Sequence, residues 1–152
     1  MKRLFYCFLL MTGCILSSCK KSETAAPTPL TKTQLISAKS WKLTAVTVKK
    51  NNDAPVDEFL DYDACEKDDL YTYRANNTYE ANEGATKCNP SANQIRATGT
   101  WAFTTNETKL STTVGTFVNI YDLVELTATT LKVRETSVDG ATYISDYTYT
   151  AQ

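Results

Sequence analysis

The chain reads as an all-β protein, an eight-stranded antiparallel up-and-down barrel behind one short helix. Three observations predict this class. From about residue 40 onward, apolar residues recur with period two, the pattern of strands that bury one face. The apolar runs are separated mostly by short connections rich in Asn, Asp and Gly, which favour antiparallel pairing of consecutive strands. Eight such strands in a meander protect their edges by closing into a barrel.

The elements follow in order. Thr31-Lys32-Thr33-Gln34 has the form of a capping box and precedes Leu35-Ile36, so a helix of one or two turns opens the domain. Trp41, Leu43 and Ala45 alternate with Lys42, Thr44 and Val46, a first strand whose first three named residues share a face. Residues 50–64 break the pattern and form a long connection, with a short helix near Phe59-Leu60. Leu70 to Tyr73 and Thr78 to Ala81 form the second and third strands, joined through Asn76-Asn77. Asn tolerates positive φ, so a three-residue turn with Asn77 left-handed is expected. That turn sets Tyr73 opposite Tyr79. The same register brings Cys65 and Cys88 almost opposite each other at the open end of the hairpin. A loop with Gly84, Asn89, Pro90 and Asn93 leads to a fourth strand at Gly99 to Phe103, and Asn106-Glu107 turns into a fifth at Lys109 to Thr112. Phe117 to Leu126 is the sixth, apolar on both faces near Val118, Ile120, Leu123 and Val124. Leu131 to Glu135 is the seventh, and Asp139-Gly140 turns into the eighth at Tyr143 to Thr150.

Ahead of the domain, Lys2 and Arg3 precede an apolar run from Leu4 to Leu16, the layout of an export signal. Leu16-Ser17-Ser18-Cys19 resembles the lipobox of bacterial lipoproteins. The resemblance implies that residues 1–18 are removed and that Cys19 carries lipid; Met11-Thr12-Gly13-Cys14 fits less well. Each buried methylene contributes roughly 0.8 kcal/mol, so two or three acyl chains anchor a protein almost permanently. Residues 19–30 are then the lipidated cysteine and a flexible tether, and residues 31–152 the domain. Lys20 and Lys21 stand where an Asp would signal inner-membrane retention, which directs the expectation to the outer membrane, on its periplasmic or its cell-surface face.

Without residues 1–18 the chain has 134 residues, enough for one domain. It keeps 14 basic and 17 acidic residues, a net charge of −3. With no basic patch, nucleic acid is not an expected partner. Of the five cysteines, Cys7 and Cys14 leave with the signal and Cys19 takes lipid, so Cys65 and Cys88 remain to pair in an oxidising compartment. The alternatives are two free thiols or a half-built metal site, against which stand the absence of His and of any Cys-x-x-Cys.

Several stretches together resemble the lipocalin-like domain of small bacterial (Gram-negative) lipoproteins. They are Ser40-Trp41-Lys42-Leu43-Thr44, Cys65-Glu66-Lys67-Asp68-Asp69 and Glu83-Gly84-Ala85-Thr86-Lys87-Cys88, with Gly99-Thr100-Trp101 and Leu123-Val124-Glu125-Leu126-Thr127. The resemblance covers about residues 31–152 and implies an eight-stranded, disulfide-linked barrel.

The ligand-binding candidates are the aromatic residues expected inside: Trp41, Tyr71, Tyr73, Tyr79, Trp101, Phe103, Tyr121 and Tyr147. Rings of this kind hold an apolar or aromatic molecule, with phenol hydroxyls to orient it. Short strands and many bulky rings also favour a filled interior, since an eight-stranded barrel is just wide enough for either. Asp57, Glu58, Asp61, Asp63, Glu66, Asp68 and Asp69 crowd one segment. Their order lacks that of a calcium loop, so a solvated acidic loop is expected, and no metal or cofactor. Without His or a nucleophile motif, catalysis is not expected; Glu125 and Glu135 are the one carboxylate pair to weigh for it. The expected function is binding of a small hydrophobic molecule by a lipid-anchored envelope protein. The alternative is a protein-interaction or structural module with a solid core.

Overall fold

The computed structural model describes residues 28–152; the export signal, Cys19 and most of the tether lie outside the described residues. Helix α1 (Lys32–Ser37) begins with the expected capping box. Thr31 accepts from the backbone N–H of Gln34, and the Gln34 side chain accepts from that of Thr31.

Nine strands follow: β1 (Ser40–Lys50), β2 (Val56–Asp57), β3 (Leu70–Tyr73), β4 (Thr78–Asn82), β5 (Ile95–Thr104), β6 (Lys109–Val114), β7 (Phe117–Leu126), β8 (Thr130–Val138) and β9 (Thr142–Ala151). Eight of them close an antiparallel barrel in the order β1-β3-β4-β5-β6-β7-β8-β9, with β9 returning to β1. The ninth, β2, is the piece that periodicity did not mark. Its two residues pair with Thr47 and Val48 of β1, beyond Ser40–Lys42, where β3 pairs. A single 3-10 turn (Phe59–Asp61) follows, where the short helix was expected.

The β3–β4 hairpin has the expected register, Tyr73 opposite Tyr79, and Asn77 is left-handed with φ 65°. The side chain of Asn77 donates to Trp101 O at 3.1 Å, so the turn is tied to the neighbouring strand as well. Beyond the open end of the hairpin, Cys65 and Cys88 form a disulfide with 5.2 Å between their Cα atoms.

Two strands depart from strict alternation. A bulge between Leu43 and Ala45 shifts the register of β1. Val46 is therefore buried and Ala45 is not, which corrects the expected shared face of Trp41, Leu43 and Ala45. A bulge of this kind inserts one residue and exchanges the faces beyond it. A second bulge between Leu123 and Glu125 leaves Leu123 and Leu126 both packed toward the core. Strand β5 begins at Ile95 instead of Gly99 because its first inward positions are Ala97 and Gly99, too small to leave an apolar signal. Gly99 is needed there: a Cβ on it would lie 1.9 Å from Thr113 O.

The core sits toward the end of the barrel that carries α1. Ile36 and Trp41 are fully buried and pack with Tyr73, Trp101, Leu110, Leu131 and Val133. Trp41 Nε1 donates to Ile36 O at 2.8 Å and Trp101 Nε1 to Arg74 O at 2.9 Å. Both indole N–H groups are thus satisfied by backbone, as buried donors require.

Candidate functional site

Inward alternation on β3, β4, β7 and β9 brings tyrosines from distant parts of the chain into one space. Tyr71 and Tyr73 come from β3, Tyr79 from β4, Tyr121 from β7, and Tyr147 and Tyr149 from β9. Tyr62, just after the 3-10 turn, joins them from the irregular segment. These seven phenols, with Leu43, Thr112 and Asn119, line a cavity of about 200 Å³ that is partly open to solvent. The interior is packed at one end and hollow above it, so the expectation of a filled barrel holds only for the α1 end.

Five of the eight aromatic candidates line this cavity: Tyr71, Tyr73, Tyr79, Tyr121 and Tyr147. Trp41, Trp101 and Phe103 do not, which is a correction. Trp41 and Trp101 are core residues, and Phe103 stacks edge-on against Trp101 at 5.3 Å. Four lining residues beyond Leu43 went unforeseen. Tyr149 shares the period-two face of Tyr147, so its signal was present. Thr112 and Asn119 are paired across β6 and β7; as polar inward residues they leave no hydrophobic pattern. Tyr62 lies in a loop with no periodicity at all.

The rings hold one another. Tyr71 meets Tyr149 edge-on at 5.5 Å, Tyr121 meets Tyr147 edge-on at 6.1 Å, and Tyr73 tilts against Tyr79 at 5.4 Å. Such pairs contribute about 0.5–1.5 kcal/mol beyond the area they bury. Tyr71 Oη accepts from Arg96 at 3.2 Å, and Tyr147 Oη donates to Glu135 at 3.4 Å. The hydroxyls of Tyr62, Tyr73, Tyr79, Tyr121 and Tyr149 make no hydrogen bond with a described residue. Burial drives every one of these phenols above its ordinary value, Tyr121 up to about 12 and Tyr73 and Tyr149 furthest. All are neutral donors and acceptors at physiological pH.

The acidic segment is only partly the solvated loop that its composition suggested. Asp57, Glu58, Asp61 and Asp63 are exposed, but Asp69 is 3% exposed and pairs with Arg96 at 2.9 Å. Burial raises the Asp69 carboxyl above the usual carboxylate value, while Arg96 opposes the rise. Asp68 Oδ2 accepts from both the backbone N–H and the hydroxyl of Thr86. Buried Glu83 accepts from the backbone N–H of Cys88 at 3.3 Å. The Asp68–Thr86 bonds and the disulfide lock the acidic segment to the loop after β4, and Arg96 ties it to β5. Among the described residues, no group of three acidic, Cys or His side chains is arranged to hold a metal ion. Glu125 and Glu135 do not line the cavity.

A closed eight-stranded up-and-down barrel, packed at the end that carries the short helix and hollow above it, is an architecture with room for one small molecule. The family model for the lipocalin-like domain matches residues 38–133, more than half of the chain, and the chain belongs to that family. No curated protein matches it.

Proposed function

We propose that this chain is a binding protein that takes one small molecule into its tyrosine-lined cavity and is held at the outer membrane by lipid on Cys19. The observation that carries the binding function is the cavity itself, in which five phenol hydroxyls have no partner among the described residues. None of these oxygens is fully enclosed by protein, so each is open to a molecule in the cavity. Ring faces and free hydroxyls together suit a ligand with an apolar body and at least one polar group. The lipobox resemblance at Leu16-Ser17-Ser18-Cys19 supports the anchor.

Native mass spectrometry of the full chain, extracted from its own membranes in mild detergent, tests this function. A discrete added mass is expected that is lost on denaturation and reduced by Tyr149→Ala. A bare protein from every growth condition tried would reject it. The same sample tests the anchor, since the mature mass must show loss of residues 1–18 and gain of acyl chains.

The exposed apolar side of β7, with Val118, Ile120 and Val124, supports a second reading, contact with another envelope protein. Crosslinking from position 120 in intact cells is then expected to capture a single defined partner.

A further inference from the structure

The charge around the cavity narrows what it can hold. The residues that line the cavity carry no charge of their own. The carboxylate of Glu135 meets them directly, accepting from Tyr147 Oη at 3.4 Å, and has no ion-pair partner among the described residues. Arg96 donates to Tyr71 Oη at 3.2 Å, and its charge is paired with buried Asp69 at 2.9 Å. The wall adds to this field, because an aromatic ring presents a negative face to whatever lies over it. An anionic ligand, such as a fatty acid or other carboxylate, would enter against both.

We infer that the cavity takes a small organic cation, an alkylated amine or quaternary ammonium compound, seated among the tyrosine rings with Glu135, which Tyr147 holds at the lining, as its counter-charge. The cavity of about 200 Å³ has room for a compact ammonium ion. The cation's alkyl groups supply the apolar body, and Thr112, Asn119 and the free phenols can accept from any N–H or O–H it carries.

This inference rests on the cavity-binding function proposed above, and its test separates the two. Isothermal titration of the full chain in dodecyl maltoside would compare three molecules of one shape: choline, its uncharged carbon isostere 3,3-dimethyl-1-butanol, and the anion 3,3-dimethylbutyrate. Choline is expected to bind roughly tenfold more tightly than the isostere, and the anion least. Glu135→Gln, at an exposed position that leaves the fold intact, is expected to weaken choline roughly twofold to threefold and leave the isostere unchanged. Equal binding of choline and isostere would overturn the cation while sustaining the cavity function. Binding of the anion above choline would overturn it too. Failure of all three would also overturn it, and the added mass in native spectrometry would still decide the cavity function independently.

Discussion

Replacing both Cys65 and Cys88 with Ser removes the bond that closes the loop between them, and its effect follows from the length of that loop. The two residues are 23 apart in sequence. Releasing a loop of that length returns roughly 11–12 cal/mol/K to the unfolded chain, about 3.4 kcal/mol at 25 °C. The folded state loses little, because the Asp68–Thr86 bonds still join the same two segments and Arg96 still ties Asp69 to β5. For a domain of this size the urea slope is about 1.5–2 kcal/mol/M, so the midpoint is expected to fall by about 2 M with the slope nearly unchanged. Urea unfolding followed by far-ultraviolet circular dichroism of the oxidised wild type and the double variant measures this. A fall of less than about 0.5 M would refute the reasoning, since it would mean that the hydrogen bonds alone already hold these segments in both states.

Four further outcomes follow from the packing and the site. Tyr149→Phe removes a hydroxyl that has no protein partner, so the melting temperature is expected to stay level or rise slightly; Trp41→Phe loses the bond to Ile36 O and leaves a void, for a cost of about 2–3 kcal/mol by calorimetry. Gly84→Ala puts a Cβ 2.0 Å from Asp68 O at a backbone φ of +68°, and chemical denaturation should show a loss of at least about 2 kcal/mol. Alkaline titration gives the fourth. The folded phenols lie above their unfolded value of 10.0, so from about that pH upward the unfolded chain releases protons that the folded chain keeps. Stability is therefore complete below pH 10 and falls as pH rises beyond it. Near-ultraviolet absorbance should show Tyr73 and Tyr149 ionising only together with unfolding; gradual ionisation in a folded barrel would contradict their burial.

The parts of this molecule that could be read ahead were those with a local mechanism. The capping box at Thr31 and Gln34, the left-handed Asn77 and the Tyr73–Tyr79 register each follow from a few adjacent residues. The disulfide followed from extending that register. Bulges defeat such reading, because one inserted residue at Thr44 exchanges Ala45 for Val46 without changing the composition of the strand. The site was half legible for a related reason. Period two shows which rings point inward, yet says nothing of height along the barrel axis. Trp41 and Tyr71 are directly paired, but the indole is consumed by the packing around Ile36 while the phenol reaches the cavity. Height depends on strand stagger, which is set only when the last strand meets the first.

That last meeting has a consequence for how the protein is made. Strand β9 is the neighbour of both β8 and β1, and the N–H of Gln152 donates to Ser40 O at 2.9 Å. The first strand of the domain therefore lacks a long partner until β9 has been synthesised. An emerging polypeptide without β9 would expose β1 and β8 as two open edges over an uncovered core. Pairings that join the ends of a barrel form slowly, so the β1–β9 seam is expected to be the last part of the sheet to close. The geometry that holds the finished barrel shut is therefore also the slowest of its contacts to form.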